Sequence, residues 1–115
     1  MLSGWFLDVI VEYLYRVIVR AVKTRGSAHW RMVKATVNDS RCPSAIYGCH
    51  VAEVYYEYRV DGEIYTGIDE KPFLWHDSCE SYAGRFSPST EIVIRLRPGD
   101  PSVAYLREVD QGQTA

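Results

Sequence analysis

From Trp5 to Val22 the chain is apolar except at Asp8, Glu12, Arg16 and Arg20, which recur at every fourth position. On an α-helix, at about 100° per residue, those four stack into one narrow stripe, and the rest of the cylinder is almost all Val, Ile, Leu, Phe or Tyr. The spacing predicts a helix with Ser3 as its N-cap, ending at Lys23-Thr24-Arg25-Gly26, where basic residues and a glycine give a C-terminal signature. Its many β-branched residues (Val9, Ile10, Val11, Val17, Ile18, Val19) make a strand the competing assignment. Length and the i, i+4 charge ladder favour the helix.

The pattern then changes period. Trp30, Val33, Ala35, Thr36 and Val37 read as a first strand within 28–38, and Asp39 to Gly48 as a loop marked by Asn38-Asp39-Ser40, Cys42-Pro43 and Gly48. From Val51 to Val60 alternation is strict: Ala52, Val54, Tyr56, Tyr58 and Val60 share one face, and Glu53, Tyr55, Glu57 and Arg59 the other. Asp61-Gly62 supplies a two-residue hairpin turn, and Glu63 to Gly67 return, with Tyr58 opposite Tyr65 and Arg59 opposite Ile64. A connection follows over 68–76. Asp77 and Ser78 are N-cap candidates for a short helix through Ala83, closed by Gly84. Glu91 to Arg97 alternates with Ile92, Ile94 and Leu96 inward and Val93, Arg95 and Arg97 outward; Val103 to Leu106 makes the last strand.

These elements define an α+β chain: an amphipathic N-terminal helix (1–26), a β-rich domain (27–108) and a flexible tail (109–115). The domain is expected to be a five-stranded antiparallel sheet, curled into a small barrel or sandwich, with one short helix between strands 3 and 4.

Several segments, taken in order, resemble the bacterial domain-of-unknown-function family numbered 3592. They are Trp30, Val54-Tyr-Tyr-Glu-Tyr-Arg-Val60, Asp61-Gly62 with Tyr65 and Gly67, and Tyr82-Ala-Gly-Arg-Phe-Ser-Pro88. Ile92-Val-Ile94 and Pro98-Gly-Asp-Pro-Ser102 with Leu106 complete the set. The likeness covers about residues 28–108 and implies a small β-rich domain, often membrane-tethered, with no catalytic residues to carry over. Ser89 stands where members usually have glycine, which implies a less strained turn. The N-terminal segment is charged where many members carry a clean membrane span.

Composition adds bounds. At 115 residues, 47% hydrophobic and 24% charged, the chain is long enough for one folded core, and a net charge of −2 argues against general nucleic-acid binding. Basic residues cluster at the end of the helix and just beyond it (Arg16, Arg20, Lys23, Arg25, Arg31, Lys34), which suits the helix dipole or anionic headgroups. The N-terminus lacks the basic start and cleavage site of a secretory signal. A span needs roughly 20 uncharged residues, and each central charge costs roughly 2.5–3.5 kcal/mol to insert. A helix lying in the membrane surface is therefore easier to defend than one crossing it.

Candidate chemistry is sparse. Cys42 and Cys49, with six residues between them, can close their loop as a disulfide in an oxidising compartment; three free thiols is the plainer reading. Neither Cys42/Cys49-His50 nor His76-x-x-Cys79 matches the tight cysteine pairs of structural zinc, so no metal and no cofactor are expected. Cys49 and His50 are strand neighbours pointing to opposite faces, which argues against a dyad; Asp77 and Ser78 beside His76 and Cys79 read better as caps. Glu53 and Glu57 flank Tyr55 on what reads as a solvated face. Tyr47 and Tyr55 either mark a binding surface or pack under the helix.

The expectation is a non-enzymatic domain that docks to a membrane surface or a protein partner through residues 2–23. Trp5, Phe6, Leu7, Ile10, Val11, Leu14, Val17 and Ile18 would supply apolar contact, and Arg16, Arg20 and Lys23 would face water or headgroups. It would work in the cytoplasm or on the cytoplasmic face of a membrane. The alternatives are a soluble homo-oligomer held by the helix and a cysteine-dependent enzyme.

Overall fold

The structure, a computed structural model, describes residues 2–43 and 50–111, with side chains from Leu7 onward, Val109 excepted. The elements are α1 (Leu2–Gly26), β1 (Arg31–Arg41), β2 (His50–Val60), β3 (Glu63–Phe73), α2 (His76–Gly84), β4 (Glu91–Arg97), β5 (Asp100–Leu106) and α3 (Glu108–Gln111). The strands form one antiparallel sheet in the order β3-β2-β1-β4-β5. It curls until its two edge strands, β3 and β5, approach each other in a nearly closed barrel.

The alternation in β2 fills that barrel. Ala52, Val54, Tyr56, Tyr58 and Val60 are all buried and meet Ile92, Ile94, Leu96 and Leu106 from the opposite wall. Two inward tyrosines cross the interior: Tyr56 Oη donates to the Ala104 carbonyl at 3.3 Å and Tyr58 Oη to the Pro101 carbonyl at 2.7 Å. Each hydroxyl thus keeps a hydrogen bond inside the core and ties β2 to β5. Burial pushes the Tyr56 hydroxyl far above its usual pKa. Gly67 faces Tyr56 across the hairpin, and a Cβ at Gly67 would lie 2.5 Å from the tyrosine ring. Only glycine leaves room for that ring.

The hairpin forms in the expected register, with Tyr58 opposite Tyr65 and Arg59 opposite Ile64, and Asp61 (φ 51°) and Gly62 (φ 85°) both take the left-handed turn conformation. Other boundaries shift. Pairing carries β1 on to Arg41 past a bulge between Val37 and Asp39, and β3 on to Phe73. Pro72 is tolerated because β3 is an edge strand. α2 opens at His76 with Trp75 in the capping position and no side-chain cap, so Asp77 and Ser78 lie inside the helix. Ser89 has φ 74°, a left-handed conformation that favours glycine, so its turn is more strained than the resemblance implies.

Two further corrections concern the C-terminal end. Residues 109–111 of the expected tail join Glu108 in α3, and Asp110 is almost fully buried. Val93, expected to face outward, is buried beneath it. The Gln111 side chain accepts from Val93 N at 2.9 Å and donates to Val93 O at 2.7 Å, as a neighbouring strand's backbone would. Asp110 takes a two-pronged bond from Arg95 (2.9 and 3.0 Å), whose remaining nitrogen holds the Ala28 and Trp30 carbonyls. The outward face of β4 is thus a docking surface for the chain's own end.

Candidate functional site

α1 packs against β3 and β5 with Val9 buried and Ile10, Tyr13, Val17 and Val19 half-buried beside Glu12, Arg16 and Arg20, while Asp8 stays exposed. Arg20 Nη1 donates to Asp69 Oδ1 at 2.7 Å and to the Glu70 carbonyl at 3.0 Å; Arg20 Nη2 reaches Tyr82 Oη at 3.5 Å and Glu108 Oε2 at 3.4 Å. One guanidinium thereby joins α1 to β3, α2 and α3, using the planar fork that suits several acceptors at once. Lys71 Nζ adds bonds of 2.7 and 2.8 Å to Glu108. Burial lifts the Asp69 carboxyl above the usual carboxylate range even with Arg20 beside it, because desolvation outweighs the pairing. One turn earlier, Arg16 and Glu12 pair at 2.8 Å, both about a third exposed.

The opposite face is left bare. Leu7, Val11, Leu14, Tyr15, Ile18 and Val22 are each 50–67% exposed. Their positions fall within an arc of roughly 100° on the helix. The arc carries no charge until Arg25, which lies in line with Leu7 and Ile18 and is exposed. Ile68 on β3 is also exposed, and with Tyr15 it borders a cleft of about 310 Å³ between α1 and the sheet. Surface helices of water-soluble domains usually present a polar outer face, whereas the outer face here is apolar.

The residues expected to dock are therefore split. Leu7, Val11, Leu14 and Ile18 point outward, while Ile10 and Val17 are half-buried; Trp5 and Phe6 lie outside the described side chains. Arg20 is committed to Asp69 and Arg16 to Glu12 rather than to water or headgroups, whereas Lys23 is exposed, its Nζ 6.0 Å from the centre of the Tyr105 ring. Tyr15 and Val22 belong to the bare face and were not expected there. Their signal was the i, i+4, i+7, i+11 series of Val11, Tyr15, Ile18 and Val22. Tyr55, with its hydroxyl on Glu53 at 2.9 Å and Arg41 over its ring at 4.8 Å, is held within the sheet's outer face rather than under α1.

At the N-terminal end of α2 the fold gathers a second group. Cys42 is disulfide-bonded to Cys79, with Cα atoms 6.0 Å apart, rather than carrying the free thiol that was the plainer reading; Cys49, the alternative partner, lies outside the described residues, as does Tyr47. Cys42 follows β1, His50 opens β2, and His76 and Cys79 stand on the first turn of α2. The His50 and His76 rings meet edge to face at 5.3 Å, and Cys42 Sγ lies 3.9 Å from His76 Nδ1.

No protein-family model matches this chain, and no match emerges among curated proteins or solved structures.

Proposed function

We propose that this is a non-catalytic β-barrel domain that docks reversibly to a membrane surface through the outer face of α1. The observation that carries the reading is the bare outer arc of α1: the helix is moored to the barrel through buried Val9 and through Arg20 on Asp69, and six apolar side chains still face outward. Among the described residues no helix is long and apolar enough to cross a membrane, which favours a helix lying in the interface. Moving six half-exposed apolar side chains out of water is worth roughly 1 kcal/mol each. The sum, of order 6 kcal/mol, is close to what one short acyl chain supplies, enough for reversible attachment. Arg25 gives the arc a cationic end that suits anionic headgroups.

Flotation of the full chain with anionic vesicles tests it. The protein should rise with the lipid, and Leu14→Glu combined with Ile18→Glu should leave it at the bottom with an unchanged circular dichroism spectrum. A wild-type chain that stays down, or a double variant that floats as well, defeats the proposal. A dimer that sediments without lipid and dissociates in the double variant would assign the arc to a second copy instead.

A further inference from the structure

The group at the end of α2 has the composition of a metal site. One donor atom each from Cys42, His50 and His76 lies within 4.8 Å of the others, and the Cys79 sulfur is bonded to that of Cys42. Two sulfurs and two imidazoles form a donor set that zinc takes tetrahedrally. Sequence spacing hides it, because the donors come from the end of β1, the start of β2 and the first turn of α2; only the barrel brings them together.

A second observation concerns the orientation of His76. Its Nε2 lies 3.0 Å from Glu80 Oε1, one helical turn on, while its Nδ1 faces the Cys42 sulfur. A carboxylate on the far nitrogen fixes the tautomer that leaves the near nitrogen's lone pair free to bind. Histidines that ligate metals are commonly supported in this way. A disulfide that served only as a staple would need neither this carboxylate nor two histidines beside it.

We propose that Cys42, His50, His76 and Cys79 bind one zinc ion when the cysteines are reduced, and that the Cys42–Cys79 disulfide is the oxidised, metal-free form of the same site. A dithiol reductant opens the bond: it transfers two electrons and two protons to the two sulfurs and leaves as its own disulfide. Zinc then binds both sulfurs as thiolates and releases those two protons. Donor atoms of a tetrahedral zinc site lie roughly 3.5 Å apart, as its bond lengths of 2.0–2.3 Å require. The sulfurs must therefore separate by roughly 1.5 Å from disulfide contact, and the nitrogens close in by about as much.

The test uses the full chain carrying Cys49→Ser, so that only Cys42 and Cys79 hold thiols. After reduction with a phosphine, cobalt(II) is titrated as a spectroscopic substitute for zinc. The expected result is one equivalent bound, with the visible bands of tetrahedral cobalt and a thiolate charge-transfer band. Zinc should displace it, and the disulfide form should show no binding. Glu80→Gln should weaken zinc about 10–100-fold by releasing His76, and His76→Asn should abolish the tetrahedral spectrum. If reduction unfolds the chain, recovery of its circular dichroism on adding zinc supports the site; failure to recover overturns it. A folded, reduced chain without tetrahedral cobalt, or an unchanged spectrum in His76→Asn, also overturns it.

Discussion

The barrel interior and the outer face of α1 are built from the same residue types, Val, Ile, Leu and Tyr, and meet opposite fates. Inside the barrel those side chains close on one another, and the tyrosine hydroxyls find backbone carbonyls across the core. On the outer arc of α1 they remain in the open, while Val9 and Arg20 on its other side meet the protein. Apolarity alone does not decide what a domain buries. The side of α1 that lies down carries both apolar contact at Val9 and the arginine that satisfies the buried acid Asp69. The apolar arc lies on the side turned away from both.

The sharpest way to break the comparison is to trim one residue in each region. Ile94→Ala should cost about 3–4 kcal/mol by leaving a cavity in the barrel. Ile18→Ala should change stability by less than about 0.5 kcal/mol. Equal losses in chemical denaturation would mean that α1 buries that face after all. Next in size, Arg20→Met strands Asp69 beside an apolar side chain and should cost about 2–3 kcal/mol. It should also loosen α1, read as faster amide exchange over residues 7–24; protection equal to wild type would remove Arg20 as the anchor.

Acid should separate the C-terminal dock from the anchor. The Arg95 hydrogen bonds hold the Asp110 carboxyl below the usual carboxylate range. Its folded pKa lies under its unfolded value of about 3.9, so the contribution is full above that value and disappears as pH falls through the folded one. Asp69, raised by burial, acts with the opposite sign: its contribution is present below its unfolded value and is lost as pH rises through the folded one. Asp110→Asn should be less stable at neutral pH and lose less than wild type on acidification below about pH 4; parallel melting curves would refute the dock. The last effect expected is a gain. Ser89→Gly relieves the left-handed backbone and should add about 1 kcal/mol, measured as a higher melting temperature.

Local order was legible in the sequence wherever one period ran uninterrupted. The alternation from Val51 to Val60 and the Asp61-Gly62 turn gave the hairpin and its register, and the charge ladder gave α1. What could not be read was anything decided by a partner distant in the chain. Arg20 resembled a solvent-facing charge because Asp69 lies 49 residues away. Val93 and Arg95 resembled an outward face because Asp110 and Gln111 cover them from a stretch with no periodicity. The Cys42–Cys79 link and the histidines beside it became visible only once three elements converged.

Glu108 grips both Arg20 and Lys71, so the last helix and the first share one mooring point. Whatever tugs on the chain's trailing end is transmitted to the footing of its leading helix. A bulky cargo fused there would strain α1 as well, whereas clipping the polypeptide after Leu106 would slacken both ends together.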